Sequence, residues 1–109
     1  MTSVESPDQQ ECYEAIAGHL MNAVSGAWEK ITIEFEIMEL DHACEYAISY
    51  VPKGAFHKVR EFFLDDRDFV FLFYSLARAT SDEGKGFYKK CRFSVSANGR
   101  YKCDFTYQD

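Results

Sequence analysis

The strongest constraint in this 109-residue chain is an alternation of apolar and polar side chains between Lys30 and Met38. Every second position there is apolar, and the apolar set is Ile31, Ile33, Phe35 and Ile37. Successive side chains of a β-strand point to opposite faces of its sheet, so a period of two predicts a strand with one buried face. Glu34 and Glu36 then lie together on the exposed face. The rest of the chain must cover only one side of this strand.

Two more strand segments follow directly. Residues 43–51 alternate in the same way after a short turn at residues 39–42, which predicts a second strand antiparallel to the first. Pro52-Lys53-Gly54 ends that strand. Residues 59–64 predict a third, weaker strand. The three segments together form the first half of a mainly antiparallel sheet.

The end of the chain predicts a hairpin. Its apolar positions alternate on both arms, and they are Cys91, Phe93 and Val95, then Tyr101, Cys103, Phe105 and Tyr107. A two-residue Asn98-Gly99 loop would put the two sets on opposite faces, whereas a three-residue loop pairs Val95 with Tyr101 and keeps them on one face. We therefore expect the longer loop, with Gly99 in the left-handed conformation. Cys91 and Cys103 are then diagonal neighbours, which disfavours a disulfide between them.

A first helix precedes the strands. Ser6 is a good capping residue, Pro7 suits the first helical position, and Ser25-Gly26 ends the segment. Between these signals an apolar stripe recurs every three or four residues, formed by Tyr13, Ile16, Ala17, Leu20 and Val24. This spacing predicts a helix that packs one side against the sheet.

Residues 69–79 are apolar on nearly every side, so period alone does not separate helix from strand. Their Phe and Val content favours a strand. Their length, an acidic cap at Asp65 or Asp66 and a stop at Gly84 favour a helix. We predict a second helix that packs on the sheet through Phe69, Leu72, Phe73 and Leu76.

The order of the predicted elements is helix, three strands, helix and two strands. It indicates an α+β fold with a mainly antiparallel five-stranded sheet and two helices packed on one face. A chain of 109 residues has room for one hydrophobic core, so residues 1–109 are expected to form a single domain.

Charge is distributed unevenly along the chain. Residues 1–51 hold ten acidic residues and one basic residue, whereas residues 84–109 hold six basic and two acidic residues. The overall charge of −6 argues against nucleic acid as a partner, because phosphate binding needs a positive surface. A concentrated acidic surface instead attracts a basic protein. The six bases near the end are expected to lie across from the acidic first strands.

No catalytic or metal-binding motif stands out. The four cysteines follow no metal-ligand spacing, and His42 with Cys44 is the nearest pair that could activate a thiolate. Isolated His and Cys residues are usually structural, so we expect no enzyme activity and no cofactor. No apolar run is long enough to span a membrane, and residues 1–10 lack the pattern of a secretory signal, which predicts a cytoplasmic protein with reduced thiols.

Three motifs carry a resemblance to a known family. They are Ala27-Trp28-Glu29-Lys30 before an alternating strand, Tyr50-Val51-Pro52-Lys53-Gly54, and Phe93-Ser94-Val95 followed by the Gly99 turn and residues 101–107. In this pattern the chain resembles the YezG-like immunity proteins, over most of its length. Small cytosolic partners of this type also occur in contact-dependent growth inhibition systems.

The resemblance implies an immunity protein, or antitoxin, that binds and neutralises a cognate secreted toxin domain, expected to be a nuclease. The expected partner-binding residues are acidic, and they are Glu34, Glu36, Glu39, Asp41, Glu45, Asp65, Asp66 and Asp68. Such carboxylates can occupy the basic site with which a nuclease binds phosphate. The alternative is a small ligand-binding or enzymatic domain with a pocket between helix and sheet. The oligomeric state stays open.

Overall fold

The computed structural model describes residues 7–54, 58–64, 66–81, 84 and 86–107. Within these residues the chain forms two helices and five strands. In chain order they are α1 (Pro7–Ala23), β1 (Trp28–Glu39), β2 (Ala43–Pro52), β3 (Arg60–Phe62), α2 (Arg67–Ala79), β4 (Lys90–Ser96) and β5 (Tyr101–Thr106). Neither helix in this part of the chain is long and apolar enough to cross a membrane.

The five strands form one sheet in the order β3-β2-β1-β4-β5, and every neighbouring pair is antiparallel. The predicted α+β class is therefore confirmed. β1 is the central strand, and its Ile33 lies opposite Ile48 on one side and Phe93 on the other. The apolar alternation of β1 thus continues across the sheet as rows of buried side chains.

The closing hairpin has the expected three-residue loop. Val95 pairs with Tyr101 and Phe93 with Cys103, so both apolar sets share one face. The amide of Ser96 donates to the carbonyl of Arg100 at 2.8 Å, which closes the loop, and Gly99 has a φ of 88°. That left-handed backbone is easily adopted by glycine because it has no Cβ.

Both helices cover the same face of the sheet. The ring of Tyr13 in α1 lies 6.1 Å from that of Phe93, and the ring of Phe73 in α2 stacks on Phe35 with centroids 4.3 Å apart. α2 contains the whole of residues 69–79, which were predicted to be helical. The carboxylate of Asp66 accepts hydrogen bonds from the amides of Asp68 and Phe69 and is the cap of α2. The alternative cap Asp65 and the first-helix cap Ser6 lie outside the described residues.

One detail of the prediction is wrong. The third strand covers only Arg60–Phe62 rather than residues 59–64, and its flanking residues Val59 and Phe63 are 62% and 68% exposed. β3 is an edge strand with one neighbour, so little holds its ends in the sheet. In α2, Leu72 packs against the core as expected but is only half-buried, and the helix also turns Tyr74 and Ala77 into the core beside Phe69, Phe73 and Leu76.

Tyr88 is a core residue that the sequence patterns do not reveal. It lies between α2 and β4, is 1% exposed, and donates its hydroxyl to the backbone carbonyl of Phe73 at 2.7 Å. Burial raises the pKa of this hydroxyl well above its ordinary value, since the phenolate would lose its hydration. The side chain therefore ties the start of β4 to the middle of α2 in its neutral form.

Replacing Tyr88 by Phe should lower the free energy of unfolding by about 1 kcal/mol, because a buried hydrogen bond is lost while the ring stays. The matched control is Tyr107→Phe, which removes a hydroxyl that donates to the carbonyl of Thr80 in a half-buried position. Urea denaturation should show a smaller loss for the control. Equal losses would contradict a special role for Tyr88.

Stability should also fall as the pH rises above about 10, the ordinary pKa of tyrosine. Above that pH the unfolded chain releases the Tyr88 proton while the folded chain keeps it, so the unfolded state binds fewer protons and gains relative stability. The free energy of unfolding should decline less steeply with pH in Tyr88→Phe than in the unmodified protein. Parallel curves for the two proteins would show that Tyr88 does not contribute to the decline.

Candidate functional site

The face of the sheet opposite the helices carries the acidic residues of the first two strands. Glu34 and Glu45 are exposed and Glu36 is half-buried there. Their placement follows from the period of two, because the residues between them on β1 point to the helices. We call this surface, which is formed by β1, β2, β4 and β5 on the side away from the helices, the open face.

A concavity of about 580 Å³ lies on the open face. Its charged lining consists of four acids and two bases, which are Glu34, Glu36, Glu45 and Asp104, with Lys90 and Arg92. The acids from β1 and β2 lie on one side of it and the bases from β4 lie next to them. Asp104 of β5 lies beyond these bases and opposite Arg92, so the concavity is acidic in total and has a basic strand between acidic ones.

The register defines which charges face each other. Glu34 lies opposite Arg92, and Glu36 lies opposite Lys90. The expectation that the late bases lie across from the acidic first strands is therefore confirmed for these two. Among the described residues, however, no ion pair joins either base to either glutamate. The bases lower the local negative potential without neutralising individual carboxylates in a close contact.

One pair on the open face is electrostatically unfavourable. Glu36 lies directly opposite Glu45 in the β1–β2 ladder. Like charges in directly opposed positions of neighbouring strands destabilise a sheet. Lys90 compensates Glu36 from the other side, but the register gives Glu45 no basic residue opposite it. Sheet stability does not explain why both positions are acidic.

The other acidic candidates lie elsewhere. Glu39 is exposed at the end of β1, and Asp68 is exposed in the first turn of α2. Asp41, in the β1–β2 turn, is paired with Arg78 of α2. Asp66 caps α2 and also lies 3.6 Å from Nδ1 of His19. The carboxylates of the two paired residues thus already have structural partners.

The predicted set is therefore not one surface. Only Glu34, Glu36 and Glu45 share the concavity, while the turn at Glu39 and Asp41 and the start of α2 are separate places. Asp65 lies outside the described residues. The concavity also contains three residues from the end of the chain that were not among the predicted site residues, and they are Lys90, Arg92 and Asp104. The charge pattern predicted that bases would lie near the acidic strands, but not which base lies opposite which glutamate.

A second concavity, of about 570 Å³, lies at the β1–β2 turn beside α2. It brings together His42 and Cys44, the pair whose spacing allows contact, with Asp41 and Tyr74. Burial, together with a hydrogen bond to the Cys44 thiol, raises the pKa of Tyr74 to about 12. His42 is exposed, and no group of His, Cys, Asp or Glu within the described residues is arranged to hold a metal ion.

The space between the helices and the sheet is filled by side chains. Aromatic rings dominate it, and those of Tyr13, Phe35, Phe69, Phe73, Tyr88 and Phe93 are almost completely buried. The ligand pocket expected by the alternative function would have to lie at the rim of this layer, as the concavity around His42 does.

No protein-family model matches the chain, and no curated protein matches its sequence.

The Glu36–Glu45 repulsion can be measured. Replacing Glu45 by Gln should raise the free energy of unfolding by about 0.2–1 kcal/mol, because an uncompensated like-charge contact is removed. The control Glu34→Gln should not raise it, since Glu34 lies opposite Arg92. Urea denaturation at low and high salt is the measurement, and added salt should shrink the gain. A destabilised Glu45→Gln protein would show that the carboxylate supports the fold.

Proposed function

We propose that this chain is an immunity protein that binds and neutralises a cognate toxin domain, a nuclease, through Glu34, Glu36 and Glu45 on the open face. Two points support the proposal. The motifs around Trp28, Pro52 and Gly99 resemble the YezG-like immunity proteins. The opposed carboxylates of Glu36 and Glu45 weaken the sheet of the free protein, and a bound cation would remove that penalty.

The partner is expected to be basic. A nuclease binds phosphate with lysine and arginine side chains, and a basic side chain entering the concavity would lie between the Glu36 and Glu45 carboxylates. This basic side chain would be attracted to both carboxylates, and its charge would offset the repulsion between them. Because the carboxylates stand on the central strand and its neighbour, binding costs little backbone conformational entropy. Long-range attraction by the acidic face would also speed association.

The concavity is one part of a full interface. A stable protein–protein interface buries about 800 Å² on each partner, more than a single surface depression supplies. Glu39 is exposed at the end of β1 and can contribute at its edge, whereas Asp68 lies in the helix layer on the other side of the sheet. Asp41 and Asp66 would have to share their carboxylates with Arg78 and His19, so we assign them a smaller part. Asp65 stays a prediction.

The proposed activity is stoichiometric binding and needs no bond chemistry or cofactor. It requires the chain to be in the cytoplasm of the producing cell, where a nuclease would reach nucleic acid. A small-ligand function would instead use the concavity with His42, Cys44 and Tyr74. Variants at His42 and Cys44 that keep full toxin protection would show that the immunity function does not use this concavity.

The test is the double charge reversal Glu36→Lys with Glu45→Lys, in the full chain co-expressed with its cognate toxin domain. We expect affinity to fall at least about 30-fold, equivalent to about 2 kcal/mol, because two interfacial charges become repulsive. Protection of the cell from the toxin should be lost in parallel. Calorimetry at low and high salt provides the affinity.

The matched control is Glu11→Lys with Glu14→Lys. Both residues are exposed on α1, in the layer on the other side of the sheet, and the variant changes the net charge by the same amount. Its affinity should fall only because the long-range electrostatic attraction becomes weaker, by about threefold or less at physiological salt. Equal losses of affinity in both variants would mean that the chain and the toxin domain are held together only by nonspecific charge attraction. Full affinity in the open-face variant would remove that face from the interface.

A further inference from the structure

Two thiols meet on the helix side of the β4–β5 hairpin. The Sγ atoms of Cys91 and Cys103 lie 3.1 Å apart, and neither cysteine is in a disulfide. The register pairs Cys103 with Phe93 and Cys91 with Phe105, so the two cysteines are diagonal neighbours. Diagonal side chains are normally farther apart than directly opposed ones, yet here the sulfur atoms are in contact.

The spacing is close to that of a bond. Sulfur atoms in a disulfide are about 2.05 Å apart, so closure needs an approach of about 1 Å. Cys103 is half-buried on the edge strand β5, so a bridge between the two sulfur atoms would stay within reach of small thiols. Accessible disulfides are reduced more easily than buried ones, which suits a bond that forms and opens reversibly.

The two thiols differ in access. Cys91 is 1% exposed, whereas Cys103 is half-buried on the edge strand β5. The hydrogen bond with Cys103, together with burial, raises the pKa of the Cys91 thiol well above its ordinary value. A reagent from solution can therefore reach Cys103 first. Cys91 is placed to attack only a sulfur that is already next to it.

We propose that Cys103 and Cys91 form a thiol–disulfide exchange site whose reagent is a small disulfide of the oxidised-glutathione class. Cys103 gives up its proton, attacks one sulfur of the reagent, and releases the first glutathione as a thiol. Cys91 then gives up its proton and attacks the Cys103 sulfur, which releases the second glutathione. Two protein thiols are oxidised to one disulfide, and one small disulfide is reduced to two thiols.

Closure would link β4 to β5. The same two strands carry Arg92 and Asp104 on the open face. It would bridge only the hairpin, with the chain between Cys91 and Cys103 as its loop. The site is independent of the toxin-binding proposal, because it needs no partner and lies on the helix side of the sheet.

The test incubates the full chain, in a Cys44→Ser background, with oxidised glutathione at graded ratios to reduced glutathione. Cys44 is half-buried on β2, and its removal leaves one fewer competing thiol. Mass spectrometry of the intact, alkylated protein should show loss of two hydrogen atoms and no retained glutathione. Peptide mapping without reduction should join the peptides of Cys91 and Cys103, and excess reduced glutathione should reverse the change.

Two variants separate the steps. Cys91→Ala should stop after the first exchange and keep one glutathione on Cys103, whereas Cys103→Ala should acquire neither glutathione nor a bridge. Circular dichroism confirms that both variants are folded. Retention of glutathione by the protein with both cysteines, a bridge that includes Cys12, or no reaction at any ratio would each overturn the proposal.

Discussion

The central position of β1 is the constraint on which the rest of the structure depends. It is hydrogen-bonded to β2 on one side and to β4 on the other, so its apolar row is continued in both directions. Phe35, in the middle of that row, stacks on Phe73 and also contacts the rings of Tyr46 and Tyr74. A change in the register of β1 by one residue would turn this row to solvent. The two helices are therefore confined to one face.

Covering one face leaves the other face available for charge. The open face places like charges and opposite charges side by side, because the order of strands brings an acidic pair of strands next to a basic strand. Lys90 and Arg92 keep the acidic strands from repelling one another too strongly, but they leave Glu45 without a partner across the ladder. The scaffold thus tolerates a local cost at the place where a cationic partner would compensate it.

Local patterns were sufficient for much of this fold. The hairpin register followed from the positions of Val95 and Tyr101, since only one loop length keeps both apolar sets on one face. The helical nature of residues 69–79 was correctly predicted from the acidic cap, although period alone was ambiguous. Which side of that helix is buried was less accessible, because the contact of Phe73 with Phe35 depends on packing between distant segments. The prediction included Leu72, which packs against the core, but it missed the burial of Tyr74 and Ala77.

The candidate site was harder to predict, because it depends on neighbours distant in sequence. The alternation of β1 placed Glu34 and Glu36 on one face, but it carries no information that Arg92 lies opposite Glu34. It also cannot show that Arg78 of α2 pairs with Asp41. A run of acidic residues therefore overstates the available surface, since some carboxylates are engaged within the fold. The acidic residues most able to bind a partner are those that the fold leaves repelling one another, and Glu45 is the clearest case.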